Sequence, residues 1–369
     1  MLHNSQKDFL RRHIGPSEED QKKMLSELKY SSLDELIKNT VPEKIQFKGE
    51  LNIGESNSEY EALRKLKVIS KKNQIYSNFI GMGYYGTYTP YVILRNILEN
   101  PGWYTSYTPY QPEVAQGRLE MLLNFQQMIV DFTGMDIANA SLLDESTAAA
   151  EAVGLSYRLN KSDCKLVFVS ENCHPQTIDL IKTRAEPMGL KVLVGNEDKV
   201  LDNLKEDVVC GILQYPGTLG DIKDPSESIS KIHKKNGKAI LACDLLSLAK
   251  LKTPRELGAD IAVGSSQRFG IPMGYGGPHA AFFATKDEYK RSLPGRLVGV
   301  SVDRHGNKAY RLSLQTREQH IRRDKATSNI CTAQALLAII SAAFAIYHGP
   351  EGILKIANRT SKLAKIFAD

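Results

Sequence analysis

Residues 238–244 read Lys-Ala-Ile-Leu-Ala-Cys-Asp, a run of apolar residues that ends in a carboxylate. Such a run is typical of a buried β-strand, and Asp244 would then lie at the carboxyl end of that strand. Similar short runs, rich in valine, isoleucine and leucine, alternate with helical patterns on both sides of it. This alternation predicts an α/β fold with a mostly parallel central sheet flanked by helices, and functional groups gather at the carboxyl ends of such strands.

The alternating elements follow one another closely from residue 144 onward. The predicted helices cover 144–160, 175–188, 197–204, 224–236 and 253–257. The predicted strands cover 165–169, 190–194, 208–213, 238–243, 260–263 and 280–284. Four side chains follow strand ends and would therefore share one pocket: His174, Tyr215, Asp244 and Gln267. Upstream, apolar residues at helical spacing predict a core helix over 116–133.

The remaining chain suggests further divisions. Residues 1–80 are predicted to form a helical segment and linker, with Ser17 and Ser32 as helix N-caps and an extended stretch over 42–50. Residues 81–348 would form the large α/β domain. Residues 349–369 are interpreted as the start of a truncated small C-terminal domain, because the apolar face of this helix has no later residue to cover it.

Composition indicates an ordinary globular protein with 42% hydrophobic and 24% charged residues. The net charge is +6, but no basic stripe with interleaved aromatic residues occurs, which disfavours nucleic-acid binding. Five cysteines without metal-ligand spacing indicate a reducing compartment and no metal. The apolar segment 331–347 is short and carries polar residues, so it is predicted to be a buried helix and not a membrane span. Without a targeting pattern we expect a cytoplasmic protein, or a mitochondrial matrix protein in a eukaryote.

Residues 81–110 hold seven tyrosines, four threonines, four glycines and the only tryptophan. Each buried hydroxyl without a hydrogen-bond partner costs about 1–3 kcal/mol, so this composition favours a loop that lines a pocket over a core strand. An interface loop without chemistry is the alternative. The candidate wall residues are Tyr84, Tyr85, Thr87, Tyr107 and Tyr110.

Several longer motifs surround that segment: Arg11–Pro16, Thr108–Glu113, Gln116–Glu120 and Asn139–Glu145. From about residue 9 to the end, the chain resembles the glycine decarboxylase family, the P-proteins of the glycine cleavage system. The resemblance implies the pyridoxal-phosphate-dependent transferase fold of the aspartate-aminotransferase type. It also implies the first half of a fused, two-lobed form, in which only the second half binds the cofactor through a lysine.

The family's cofactor pocket can be carried over residue by residue. Asp244 would pair with the pyridinium nitrogen, His174 would stack on the ring, and Ser146 and Thr147 would open the helix at the phosphate. The Schiff-base lysine position, a little over twenty residues after Asp244, holds Gln267. We call these five residues the relic pocket. A glutamine amide cannot replace that lysine, so this chain alone is predicted to be inactive. By themselves, the same residues also suit a strand–loop junction and a helix N-cap.

Thr327, Ser328 and Asn329 resemble the segment with which one subunit contacts the cofactor phosphate of its neighbour. A turn before an apolar helix is the alternative interpretation. The resemblance implies glycine decarboxylation, with transfer of the aminomethyl group to the lipoyl arm of the H-protein. The implied partners are the lysine-bearing second half, glycine, lipoylated H-protein and a second fused chain in a homodimer. Two alternatives stay open: a purely structural docking lobe, and a free-standing pyridoxal-phosphate enzyme with an atypical lysine.

Overall fold

The computed structural model describes residues 12–54, 56–314, 326, 328, 330 and 334–369. The chain divides into two compact units, Met1–Phe79 and Ile80–Asp369. Among its described residues, the first unit contains the helices α1 (Glu18–Glu27), α2 (Leu33–Thr40) and α3 (Glu59–Ser70). Ser17, Ser32 and Ser58 cap them by accepting backbone N–H bonds, which confirms the two caps predicted from the sequence. The predicted extended linker contains a short helical turn, Glu43–Ile45.

The second unit is built on a seven-stranded sheet with the strand order β1-β7-β6-β5-β4-β2-β3. Strands β2 to β6 pair in parallel, whereas β7 is antiparallel to both β6 and β1. The strands are β1 (Ile137–Ala138), β2 (Leu166–Ser170), β3 (Lys191–Gly195), β4 (Cys210–Tyr215), β5 (Lys238–Cys243), β6 (Ile261–Ser265) and β7 (Ala281–Thr285). The predicted mostly parallel sheet is confirmed.

Helices cover the two faces of this sheet. They are α4 (Gln116–Thr133), α5 (Glu145–Leu159), α6 (Pro175–Ala185), α7 (Glu197–Asn203) and α8 (Ser226–Lys234). Alternate residues of β5 belong to different clusters: Leu241 packs in the cluster that includes Phe125, and Ile240 packs in the cluster that includes Val153. Both faces of the sheet are therefore dry, which explains why its strands are continuously apolar.

Two parts of the fold differ from the sequence prediction. The predicted helix 253–257 is a turn, in which the Leu257 N–H donates to the Thr253 carbonyl at 3.1 Å and Gly258 follows with a φ of 88°. Because a glycine in the left-handed conformation follows only five residues after Thr253, no helix can propagate. The antiparallel hairpin of β8 (Val298–Val302) and β9 (Lys308–Leu312) has no counterpart among the predicted elements.

The last helix, α9, covers Ala335–Ala368 and is interrupted at Gly349, where φ is 64° and ψ is 176°. A second helical segment thus begins at Gly349, as predicted. By length and composition α9 could cross a membrane. Its first half nevertheless contributes Ile339, Ile340 and Phe344 to the buried core, which is the behaviour predicted for this segment. Residues 331–333 lie outside the described part of the chain.

Candidate functional site

The predicted pocket residues lie where the parallel strands end. Asp244 follows β5, Gln267 follows β6, and His174 lies between β2 and α6. His174 and Asp244 line a cavity of about 420 Å³ together with Tyr85 and Arg268. The carboxyl edge of the sheet thus brings His174 and Asp244 together, whereas Tyr215 and Gln267, predicted in the same pocket, are buried and do not line this cavity.

Gln267 is fully buried and is bonded through both ends of its side-chain amide. Its Nε2 donates to the Tyr85 carbonyl at 2.7 Å and to the Ile271 carbonyl at 2.8 Å. The Tyr85 N–H donates in return to Gln267 Oε1 at 3.2 Å. The side-chain amide therefore forms the same pair of hydrogen bonds with Tyr85 that a neighbouring strand would form. A lysine could not replace it, because its side chain has no hydrogen-bond acceptor.

Two threonines extend this attachment. Thr87 Oγ1 donates to the Ile271 carbonyl at 2.7 Å, and Thr89 Oγ1 donates to the Gly270 carbonyl at 2.6 Å. We call the contacts of Tyr85, Thr87 and Thr89 with residues 267–271 the clamp. These two threonine hydroxyls thus find partners within the chain, which removes the energetic objection to their partial burial.

Asp244 is ion-paired with Arg268, the residue that follows Gln267. The other carboxylate oxygen, Oδ1, accepts the Leu246 N–H at 2.9 Å. The guanidinium group also lies 5.1 Å from the centre of the Tyr85 ring, within the range of a cation–π contact. The carboxylate that would face a pyridinium nitrogen therefore has a cation supplied by its own chain.

His174 is likewise engaged by residues of its own chain. Its Nδ1 lies 3.0 Å from Thr218 Oγ1. Gly83 has a φ of 86° and packs so closely that a Cβ there would lie 2.8 Å from His174 Nε2. Burial lowers the pKa of His174, although the negative charge of Asp244 raises it, so the imidazole is neutral at neutral pH.

Glu145, at the start of α5, is a pocket residue that the sequence interpretation missed. Burial, and then the charge of Asp244, raise its pKa to about 8 against the effect of a hydrogen bond from Gln214. Its Oε1 is buried without a hydrogen-bond partner, which suits a neutral carboxyl better than a carboxylate. The 4.0 Å separation from His174 Nε2 is therefore not an ion pair at neutral pH. The sequence motif did contain a signal for Glu145. This acid directly follows the capping residue Asp144, a position that faces the pocket at the ends of the strands.

The residues proposed for a phosphate are occupied by local contacts. The Thr147 N–H donates to Asp144 Oδ1 at 2.8 Å, and Ser146 Oγ lies 3.2 Å from Thr177 Oγ1. The Asp144 carboxylate would repel a phosphate at this position. It also accepts a backbone N–H that would otherwise be available to the phosphate. With Gln267 and Asp244 also engaged, the pocket of this chain does not fit pyridoxal phosphate.

The candidate wall residues are placed differently from one another. Tyr84 is half-buried and stacks on His279, with ring centres 4.4 Å apart, and burial raises the pKa of its phenol. Tyr110 is buried in the core. Tyr107 is exposed and hydrogen-bonded to Gln111. Tyr85 is 47% exposed and Tyr88, which was not among the candidates, is 96% exposed.

The segment predicted to contact a neighbouring cofactor is only partly described. Thr327 and Asn329 lie outside the described residues, and their role stays a prediction. Ser328 Oγ accepts the Ile330 N–H at 3.2 Å, and Ser328 lines a cavity of about 150 Å³ with Arg158 and Arg184. Within the described ranges, no group of three histidine, cysteine, aspartate or glutamate side chains is arranged to hold a metal ion.

Comparison with known proteins identifies close relatives. The chain is 81% identical over 369 residues to a glycine dehydrogenase (decarboxylating) from Pelagibacter ubique, covering all of this chain and 38% of the relative. It is 57% identical over 360 residues to the protein of that name from Stutzerimonas stutzeri, covering 98% of this chain and 37% of the relative. The chain thus spans little more than a third of the length of these curated relatives.

Solved structures agree with the fold. A crystal structure of glycine decarboxylase (P-protein) of the glycine cleavage system, in inhibitor-bound form, matches with a TM-score of 0.84 and 36% identity, over 93% of this chain and 78% of that one. A sphingosine-1-phosphate lyase from Burkholderia pseudomallei has a TM-score of 0.57 at 14% identity, over 85% and 74% of the two chains, and shows the fold alone. The predicted pyridoxal-phosphate transferase fold is thereby confirmed. The family model of the glycine cleavage system P-protein matches residues 11–369, and the chain belongs to that family.

Proposed function

We propose that this chain is the N-terminal lobe of a glycine dehydrogenase (decarboxylating), and that it serves an active site formed with a lysine-bearing second half. The observation that supports this most directly is the state of Gln267. The position that would hold the Schiff-base lysine carries a buried amide whose hydrogen bonds are all used to hold Tyr85 and Ile271. A lobe that does not fit the cofactor can still act by shaping a pocket whose cofactor is bound elsewhere.

In this proposal, the second half binds pyridoxal phosphate, and the bound cofactor supplies an electron sink for the loss of the glycine carboxylate. This chain contributes the rigid wall. The clamp holds Tyr85, Thr87 and Thr89, and leaves the Tyr85 and Tyr88 rings exposed to a neighbouring surface. Because the clamp holds the chain on both sides of Tyr88, it presents these rings from a fixed backbone, and less conformational freedom is lost when a substrate binds.

The partners follow from the same assignment. They are the lysine-bearing half, glycine, the lipoylated H-protein that accepts the aminomethyl group, and a second fused chain in a homodimer. We place the enzyme in the cytoplasm of a bacterium, with the matrix as the corresponding compartment in a mitochondrion. The mild positive charge of the chain, +6, suits an acidic partner protein.

The second candidate is a structural and docking lobe without active-site atoms. It is favoured by the packing of Tyr84 on His279 and by the burial of Tyr110, since neither ring is then free to meet a substrate. The two roles make different demands on Tyr88, which is almost fully exposed. Only a wall role makes the turnover of an assembled enzyme depend on that ring.

The test compares Tyr88→Ala in the full-length enzyme with Tyr60→Ala, a substitution of another exposed tyrosine in the first unit. Glycine–bicarbonate exchange in the presence of H-protein gives the activity, and size-exclusion chromatography gives the assembly. A wall role predicts that Tyr88→Ala alone loses at least about tenfold in exchange with assembly intact, equivalent to about 1.4 kcal/mol of transition-state stabilisation. Unchanged exchange in both variants selects the docking role.

The 369-residue chain without the second half provides a separate test. It should show no exchange, because it lacks the lysine and does not fit the cofactor. Gln267→Lys should restore at most weak cofactor binding, since Arg268 still occupies Asp244. Clear exchange by the purified wild-type chain would contradict the proposal and favour an atypical lysine.

A further inference from the structure

The cavity beside the Asp244–Arg268 pair extends well beyond the residues of the relic pocket. Its volume, about 420 Å³, lies within the range of small-molecule sites, roughly 300–1,000 Å³. One part of its wall is apolar and another part carries hydroxyl groups. The apolar residues are Pro216, Ile222, Leu246, Leu251, Ala357 and Ala364, and the hydroxyl residues are Thr218, Ser247, Thr360 and Ser361.

The charged side chains that line this cavity leave a net positive charge. The Asp244 carboxylate is compensated by Arg268. Burial raises the pKa of Glu145 to about 8 and lowers the pKa of His174, so both groups are uncharged at neutral pH. Lys250 also lines the cavity, and it has no carboxylate partner among the residues that the structure describes. The wall therefore carries one uncompensated positive charge.

Lys250 and Arg268 together suit an anionic group. Arg268 has five N–H donors, of which Nη1 binds Asp244. The Lys250 ammonium is exposed at the rim, where it can approach a ligand without first losing an ion pair. The side chains of Leu246 and Leu251 offer an apolar surface on the same wall, and its removal from water favours a ligand with an apolar body.

We propose that this cavity binds a small organic monoanion, a carboxylate on an apolar body, with its carboxylate at Lys250 and its body against Leu246 and Leu251. The site is distinct in chemistry from a pyridoxal-phosphate site, because no Schiff-base lysine, free aspartate or phosphate cradle is required. The proposal rests on this cavity alone and is independent of the function proposed above.

Benzoate is a suitable probe, with benzamide as its neutral analogue and inorganic phosphate as an anion without an apolar body. Ligand-observed NMR titrations of the 369-residue chain measure the dissociation constants directly. We expect a benzoate Kd of about 1 mM, the affinity appropriate to so small a ligand. Benzamide and phosphate should each bind about tenfold more weakly or not at all.

Substitutions at the rim locate the site. Lys250→Gln should weaken benzoate binding about tenfold, and Lys250→Arg should retain most of it. Lys234→Gln removes the same charge from an exposed position on α8 and should leave the Kd unchanged. Ala364→Phe, at an exposed position of the cavity wall, should reduce benzoate binding by filling the space.

Three results would overturn the proposal. The first is the absence of saturable benzoate binding. The second is benzoate binding that is equally tight in the Lys250→Gln and Ala364→Phe variants, which would place the ligand elsewhere. The third is phosphate binding as tight as benzoate binding, which would remove the need for an apolar body. Because Lys250 and Ala364 are both exposed, loss of folding does not obscure these comparisons.

Discussion

The guanidinium of Arg268 is ion-paired with the carboxylate of Asp244, and both side chains are about three-quarters buried. The resemblance to the family implies that the same carboxylate would face the pyridinium nitrogen of a cofactor. The chain thus supplies an internal cation where the fold would otherwise require a bound one. An unpaired carboxylate at this depth would be costly, and the ion pair compensates this charge within the chain itself.

Removing Arg268 should therefore expose that cost. We expect Arg268→Met to lower the free energy of unfolding by about 1–3 kcal/mol, because Asp244 is left partly buried without its cation. Asp244→Asn combined with Arg268→Met should recover much of this loss. Urea unfolding of the two single variants and the double variant gives the coupling energy. A double variant that loses the sum of the two single losses would show that the pair contributes nothing specific.

The clamp predicts a strong dependence on Gln267. Gln267→Ala leaves the Tyr85 N–H, the Tyr85 carbonyl and the Ile271 carbonyl without this partner, and each unsatisfied group costs about 1–3 kcal/mol. We expect a loss of about 2–4 kcal/mol in the free energy of unfolding after relaxation. Gln127→Ala, at an exposed position of α4, is the matched control and should change stability by less than about 0.5 kcal/mol. Similar losses in the free energy of unfolding for Gln267→Ala and Gln127→Ala would contradict the role of Gln267 in the clamp.

The threonine hydroxyls can be tested without changing side-chain shape. Thr87→Val and Thr89→Val remove the donors to the Ile271 and Gly270 carbonyls, and each should cost about 1 kcal/mol. Thr87→Ser and Thr89→Ser keep the hydroxyl and should cost less. Hydrogen–deuterium exchange of residues 84–91 is the informative measurement, because loss of the clamp should increase exchange there before it affects the sheet. Uniform changes across the second unit would instead indicate a general loss of packing.

Glu145 predicts a specific pH dependence. The unfolded chain releases this proton near the ordinary glutamate pKa of about 4.3, whereas the folded chain holds it up to about pH 8. The stability due to the bound proton is therefore fully present below the unfolded pKa and is lost as the pH rises through that window. Glu145→Gln should remove the dependence, so that its stability relative to wild type improves by up to about 1.4 kcal/mol per pH unit between pH 5 and 8. Parallel pH profiles of the two proteins would contradict the raised pKa.

Thr327 remains the sequence candidate for a contact with the cofactor phosphate of the lysine-bearing half. If its hydroxyl donates to that phosphate, Thr327→Ala in the full-length enzyme should weaken pyridoxal-phosphate binding by roughly ten- to a hundredfold, since the acceptor is charged. Thr327→Ser should bind the cofactor almost as tightly as wild type. Equilibrium dialysis of the apoenzyme measures both values. Equal affinity in the alanine variant would make Thr327 a turn residue.

Local sequence patterns were sufficient to predict the strands of the central sheet, but not the turn at 253–257 or the β8–β9 hairpin. The predicted strand 238–243 has the same bounds as β5. A continuous apolar run between polar residues is typical of a strand in a sheet that is covered on both faces. The prediction of a helix over 253–257 was wrong. These residues have the composition of a helix start, but they form a single turn that is too short to continue as a helix. The β8–β9 hairpin is short and partly exposed, which leaves only a weak periodic signal.

The contacts that define the pocket were beyond the reach of local patterns. Tyr85 and Gln267 lie 182 positions apart in the chain, and nothing near either residue specifies their pairing. The resemblance identified Gln267 as a substituted position, but not the use to which the amide is put. The sequence alone assigns Glu145 no role, because its raised pKa depends on burial that only the assembled fold supplies.

The engagement of Gln267 also bears on the history of this lobe. Once an amide at this position joins two distant segments, a return to lysine would break that joint before any catalytic benefit could appear. Arg268 raises a second obstacle, since its removal is also costly while no cofactor is bound. We expect either substitution alone to lower stability, and the Asp144 carboxylate would still oppose a phosphate at the start of α5. Under the proposed function, the contacts of Gln267 and of Arg268 would therefore each oppose a stepwise gain of cofactor binding by this half.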